Sequence, residues 1–240
     1  MKKVVALAAC LFCFSFSTHA QVLISLLLGD KLNSDKLEFG LIGGLQSSNL
    51  SGEENGKLSH TLHIGFYFDF IMNDRWSFNP AVLVKSTTGV RYTNSISNVS
   101  GIDDLDSVLV GADVKRRIGY FQVPLLMKYN ITPQFHAMLG PQVGIRTKAI
   151  NEYTEGVAGG DLLFEENIQN DYKRLDAGFT AGFGFKLKPK DGMNLGVRYY
   201  YGVVDVLKDN PGDRQHNRDL YFYLTIPVGK AKAADVGAPN

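Results

Sequence analysis

The sequence predicts an all-β protein: an eight-stranded antiparallel up-and-down β-barrel that crosses a membrane with its strands. Three observations predict it. Eight segments alternate apolar and polar residues, the period of a strand whose two faces meet different surroundings. The connections between them alternate short and long. The polar faces are rich in glycine as well as charge, which suits a crowded lumen better than a water-exposed surface.

The first segment, Leu37–Ser48, sets Glu38, Gly40 and Gly44 on its polar side. The second, Ser59–Ile71, reads SHTLHIGFYFDFI. Its oily row is Leu62, Ile64, Phe66, Phe68 and Phe70, joined by His60. Its polar row includes His63, Gly65 and Asp69. The third, Trp76–Tyr92, carries Lys85 on the side assigned inward. In the fourth, Arg116–Asn130, the stripe Phe121, Val123, Leu125, Met127 and Tyr129 opposes Lys128. The fifth, Phe135–Lys148, turns His136 and Arg146 inward.

The sixth segment, Lys173–Lys188, sets Leu175, Ala177, Phe179, Ala181, Phe183, Phe185 and Leu187 against Arg174, Asp176, Gly178, Thr180, Gly182, Gly184 and Lys186. The seventh, Met193–Val206, opposes Leu195, Val197, Tyr199 and Tyr201 to Gly196, Arg198 and Gly202. The eighth is Arg218–Gly229. Each segment is long enough for a tilted membrane strand of about 9–11 residues.

After the second, fourth and sixth segments the connections are tight: Met72–Arg75, Ile131–Gln134 and Pro189–Gly192. After the others they are longer, and Thr93–Lys115 and Ala149–Tyr172 exceed twenty residues. Tight turns on one side and long loops on the other are the pattern of an outer-membrane barrel. Phe70, Trp76, Phe78, Tyr129 and Phe135 flank the tight turns, as an interfacial aromatic belt would. The enclosed charges are Glu38, Asp69, Lys85, Lys128, Arg146, Arg174, Asp176, Lys186 and Arg198, expected to pair across the interior because isolated buried charges are costly. A soluble, secreted lipocalin-like barrel also alternates, and stands as an alternative with the oily rows turned inward.

Closure is required in hydrocarbon, where every unpaired backbone group costs several kcal/mol. Pro80, Pro124, Pro141 and Pro227 fall inside segments and cannot donate to a ladder, so bulges, broken pairing or a rim position are expected there.

The N-terminus reads as an address. Met1-Lys2-Lys3 precedes a 13-residue, mostly apolar run, and Ser17-Thr18-His19-Ala20 predicts signal cleavage between Ala20 and Gln21. Residues 1–20 are then a signal peptide, 21–36 a periplasmic segment, 37–229 the barrel and 230–240 a flexible tail. Both cysteines, Cys10 and Cys13, lie in the signal, so the mature chain has no disulfide framework. The formal charge of +1 gives no electrostatic case for nucleic acid.

The segment Tyr120-Phe121-Gln122-Val123-Pro124-Leu125-Leu126-Met127-Lys128-Tyr129 resembles the "aromatic-x-x-x-Pro-Leu-Leu-x-Lys-Tyr" strand of the PorT-like, porin-like outer-membrane β-barrel family. Phe39–Leu45, followed by Ser48-Asn49-Leu50-Ser51-Gly52, is similar to that family's first strand and loop. The resemblance implies the same fold and an outer-membrane location in a Gram-negative envelope. For some relatives it also implies an accessory role beside a secretion machine.

No cofactor, metal or catalytic residue is expected. Eight strands leave a lumen about wide enough for side chains, which disfavours a diffusion porin. His63 and His136 read as interior fillers. Lipid hydrolases of the outer membrane use a lipid-facing His-Ser-acid site, so that enzyme class is the first alternative in function, ahead of the lipocalin-like barrel; His60 faces lipid, but no serine with a paired acid is evident beside it. Glu152, Glu155, Asp161, Glu165, Glu166 and Asp171 make one long loop acidic, and Asp103, Asp104, Asp106 and Asp113 another, without the spacing of a calcium motif. The expected protein is a non-enzymatic, monomeric barrel in contact with outer-membrane lipid, meeting a protein partner through its extracellular loops.

Overall fold

The computed structural model describes residues 34, 36–52, 55–92, 109–157, 160–187, 192–208 and 214–228. The expected signal peptide with its expected cleavage between Ala20 and Gln21, most of the segment assigned to residues 21–36, and residues 230–240 lie outside the described residues.

Nine strands form: β1 (Leu37–Ser51), β2 (Lys57–Ile71), β3 (Trp76–Tyr92), β4 (Asp113–Asn130), β5 (Phe135–Val157), β6 (Gly160–Asn167), β7 (Leu175–Lys186), β8 (Asn194–Gly202) and β9 (His216–Pro227). Eight of them close a ring through antiparallel neighbours in the order β1-β2-β3-β4-β5-β7-β8-β9. The seam between first and last strands is continuous from Gly40↔Pro227 to Ser51↔His216. No described helix is long and apolar enough to cross a membrane, and the crossing is made by strands.

β6 corrects the expectation of a solvated loop over Ala149–Tyr172. β5 changes partner along its length, pairing β7 from Phe135 to Ile145 and β6 from Ile150 to Val157. Its upper half therefore leaves β7 but stays paired with β4 as far as Asp113↔Thr154, and with β6 it forms a hairpin that carries this side of the wall higher than the β7–β9 side.

The tight turns are closed by side chains that replace backbone acceptors. Asn73 Oδ1 accepts the N–H groups of Arg75 at 3.0 Å and Trp76 at 2.9 Å. Thr132 Oγ1 accepts those of Gln134 at 3.3 Å and Phe135 at 3.0 Å. Gly192 holds φ +67°, which suits a residue without Cβ.

The barrel is inside out relative to a soluble protein. Leu45, Leu62, Ile64, Leu139, Phe179 and Phe183 are each more than half exposed. Gln46, Ser48, His63, Asp69, Gln122, Lys128, Asp176 and Asp219 are buried. At the tight-turn end the outward aromatics pair: Trp76 with Tyr129 at 4.8 Å, Phe135 with Phe185 at 4.9 Å, and Phe70 with Phe78 at 6.2 Å between ring centroids.

Leu125, outward and opposite Pro80, sits mid-wall. Leu125→Arg is expected to lower folding stability in lipid vesicles by about 2–4 kcal/mol. Leu163→Arg, on β6 beyond the ring, is expected to be near neutral. Urea titration of tryptophan fluorescence reads both.

Three prolines interrupt the ladders, as expected. The β2–β3 pairing skips from Tyr67↔Ala81 to Phe70↔Phe78 around Pro80. The β3–β4 pairing skips from Pro80↔Leu125 to Leu83↔Gln122 around Pro124. The β4–β5 pairing skips from Pro124↔Gln142 to Met127↔Leu139 around Pro141. Pro227 ends β9 at the rim. The bulges themselves lie higher: on either side of Ile64↔Lys85 in β2–β3, between Leu83 and Ser86 in β3–β4, and between Gly119 and Tyr120 in β4–β5.

Two interior assignments are corrected by these irregularities. Lys85 falls in the β3 bulge, where the inward row changes from odd to even positions, and its side chain is exposed. Arg174 precedes the first residue of β7 and is exposed at the rim.

Candidate functional site

The lumen is built in levels. Nearest the tight turns, Lys128 from β4 donates to Asp69 Oδ2 from β2, both side chains at most 7% exposed. Tyr67 donates to Glu38 Oε1 at 2.8 Å. Arg198 donates to Asn79 Oδ1 at 3.3 Å and lies over the Tyr223 ring at 4.2 Å, a cation–π contact in a site without bulk water. Tyr223 OH meets His136 Nε2 at 3.4 Å. Among these groups Tyr67, Asn79, Lys128, His136, Met138, Asn194, Arg198, Tyr223 and Thr225 leave a gap of about 10 Å³.

The glycines of the inward rows make room for this filling. A Cβ on Gly184 would come within 2.3 Å of His136 Nε2 and 2.5 Å of Tyr223 OH. One on Gly196 would meet Tyr223 OH at 2.4 Å.

The middle level is a hydrogen-bonded network. Ser86 donates to Gln46 at 2.8 Å, Thr88 to Asp219 Oδ2 at 3.0 Å and Tyr221 to Gln122 at 2.8 Å. Thr180 donates to Gln142 at 2.7 Å, and Asn217 to Asp176 Oδ2 at 2.6 Å. His63 packs edge-on against Tyr221 at 5.1 Å. Above, toward the long loops, Leu50, Val90, Ile118, Ala149, Ile168, Tyr172 and Val206 form a buried apolar cluster across the mouth. A second one, Leu109, Ala112, Val114 and Tyr153, packs the β5–β6 hairpin onto β4.

Of the nine charges assigned inward, Glu38, Asp69, Lys128, Asp176 and Arg198 are buried. Arg146 and Lys186 are half-buried. Arg146 lies at the rim, bonding Gln169 Oε1 at 3.2 Å and the Lys173 carbonyl at 3.3 Å. Lys85 and Arg174 lie outside the lumen. Asp219, fully buried, is an interior acid that sequence reasoning missed. Its signal is its place in the row Asp219, Tyr221, Tyr223, opposite Leu220, Phe222 and Leu224.

At the long-loop end Asp205 orders the connection after β8. It accepts the N–H groups of Gln215 at 3.0 Å and Leu207 at 3.2 Å, with Lys173 Nζ 3.7 Å away. Desolvation works against its charge, but these donors and the Lys173 ammonium hold the carboxyl below the usual range.

One pair on the outer face was not visible in the sequence. Ser47 and His60 are directly opposite across β1–β2, and Ser47 Oγ lies 2.8 Å from His60 Nδ1. Among the described residues no cluster of three or more His, Cys, Asp or Glu side chains could hold a metal ion.

A family model described as "Outer membrane protein beta-barrel domain" matches residues 29–208. No curated protein matches the chain. Among solved structures, the attachment invasion locus protein Ail of Yersinia pestis is 12% identical at a TM-score of 0.41, covering 81% of this chain and 99% of Ail. Neisserial surface protein A is 13% identical at 0.38, covering 78% and 96%. OprG from Pseudomonas aeruginosa is 15% identical at 0.30, covering 80% and 94%.

Proposed function

Because this chain belongs to the outer membrane protein β-barrel domain family, we propose that it is a non-enzymatic monomer, closed to passage, that acts through the hairpin it raises above the bilayer. The filled lumen carries this reading. The gap of about 10 Å³ beside Arg198 has room for about one water. Passage of a solute would require Lys128, Asp69 and Arg198 to separate and the apolar cluster at the mouth to part. The β5–β6 hairpin adds Glu152, Glu155, Asp161, Glu165 and Glu166 on a stiff support, a surface suited to a basic face on an envelope or secretion component. The PorT-like resemblance of Tyr120–Tyr129 supports an accessory role of that kind.

The purified protein in a planar bilayer is expected to give no stepwise conductance. Steady single-channel currents would overturn the closed reading. A photo-crosslinker at Leu163 is expected to trap one envelope protein in intact cells, and adducts with lipid alone would remove the contact role.

The Ser47–His60 pair favours a second reading, a lipid-facing acyl hydrolase with Ser47 as nucleophile and His60 as base. It ranks second because no described carboxylate bonds to His60, and strand N–H groups engaged in ladders are not free to stabilise an oxyanion. Release of fatty acid from lipid A or phospholipid vesicles, lost in both Ser47→Ala and His60→Ala, would replace the first reading with this one.

A further inference from the structure

Two bulges in neighbouring strands converge on one place in the wall. The β3–β4 pairing slips between Leu83 and Ser86, and the β4–β5 pairing slips between Gly119 and Tyr120, opposite Arg146 and Lys148. Bulges re-aim side chains. Here they open an outward pocket of about 220 Å³ whose lining includes Lys85, Thr87, Arg117, Gly119, Thr147 and Lys148. Gly119 backs it, since a Cβ there would press to 3.0 Å from Thr147 Oγ1.

The pocket is positive and open. Lys85 is exposed and forms no ion pair with a described residue. The Arg117 side chain is 38% exposed and the Lys148 side chain 58%. Their partners Glu152, at 2.9 Å and 19% exposed, and Glu165, at 3.0 Å and 45% exposed, come from the hairpin side; the exposed Lys148–Glu165 pair is weak and leaves Lys148 available to a stronger anion. Just above, Lys57 faces Arg91 and Arg91 faces Lys115 in consecutive strands. Like charges set directly opposite repel. Arg91 and Lys115, like Lys85, pair with no acid among the described residues.

The height of the pocket identifies its occupant. Lys85 lies nine residues above Trp76 on β3. At a rise of about 3.4 Å and a tilt of about 40°, that is roughly 23 Å, against an apolar band about 25 Å tall. Directly beneath, the outward residues are Phe121, Val123, Leu125 and Met127 on β4 and Leu139, Val143 and Ile145 on β5. The cations therefore emerge where hydrocarbon gives way to head groups, facing sideways into the leaflet.

The geometry points to a binding site for the phosphate of a phosphorylated outer-leaflet glycolipid, held by Lys85, Arg117 and Lys148, with its acyl chains along the outward rows of β4 and β5. Guanidinium and ammonium groups are the side chains suited to phosphate. The site is on the outside of the wall and stands apart from what the lumen does.

The test uses the full chain in nanodiscs containing bisphosphorylated lipid A, dephosphorylated lipid A, or neither with inorganic phosphate added. Native mass spectrometry counts lipid retained per barrel after detergent exchange. The parent should retain the phosphorylated form, and Lys85→Gln/Arg117→Gln/Lys148→Gln about tenfold less. A triple with equal charge loss on the β8–β9 side of the barrel, Lys208→Gln/Arg214→Gln/Arg218→Gln, should behave as the parent. Lys85→Gln alone, which breaks no ion pair, should lose about threefold and covers the case of a misfolded triple. Equal retention of the two lipid A forms by the parent, or full retention by the site variants, would overturn the proposal. Displacement of the lipid by inorganic phosphate at matched concentration would also overturn it, because the site would then hold the free ion.

Discussion

Gly44→Ala is expected to prevent the barrel from closing. A Cβ on Gly44 would lie 1.9 Å from the Phe222 carbonyl oxygen and 3.0 Å from Tyr223 Cα. Those atoms are backbone of β9, so no side-chain rotation relieves the contact. The strand itself must move, and β1–β9 is the seam that makes the sheet a ring. Each backbone group left unpaired in hydrocarbon costs several kcal/mol, so displacing even two pairs exceeds the stability of a typical domain. The neighbouring residue supplies the control. A Cβ on Gly43 would meet nothing nearer than the His63 carbonyl oxygen at 3.4 Å, an ordinary contact. Gel mobility without boiling separates folded barrels from unfolded chains. Gly43→Ala should run as the folded form and Gly44→Ala as the unfolded one. A folded Gly44→Ala would mean that the seam is looser than its register implies.

The Asp69–Lys128 pair should give the next largest effect. Asp69→Ala leaves the Lys128 ammonium buried beside Arg198 and is expected to cost about 3–5 kcal/mol. Lys128→Met strands the Asp69 carboxylate and should cost a similar amount. The double variant Asp69→Leu/Lys128→Met removes both charges and should return to within about 1 kcal/mol of the parent. Equilibrium folding into lipid vesicles under urea measures all three. If the double variant is as unstable as the singles, the pair matters for shape and its charge pairing is incidental.

Much of this architecture was legible because the solvent contrast across the wall is steep. Eight rows of Leu, Phe and Val, opposite rows of Gly, Gln, Asp and Lys, can be read off by alternation alone. Residues such as Asp69, Lys128, Asp176 and Arg198 follow directly from parity. What failed to show was what parity does not carry. β6 lies outside the ring of eight strands, and Asp161, Leu163 and Glu165 alternate with Leu162, Phe164 and Glu166, so neither row is uniform. Lys85 sits in a bulge, where one extra residue reverses the phase. Ser47 and His60 meet only once the β1–β2 register is known, and no local pattern encodes that register. Asp219 was legible in principle, but its short row is dominated by tyrosines that suit either face.

The ladder gaps at Pro80, Pro124 and Pro141 have a mechanical consequence. They fall on consecutive strands, whereas the pairings β1–β9, β9–β8, β8–β7 and β7–β5 run without a break. The chain is therefore fastened most firmly where its two ends meet and least firmly in its middle. Under load or during release from the membrane, the first tear should run diagonally through β2 to β5 while the terminal strands are still clasped together.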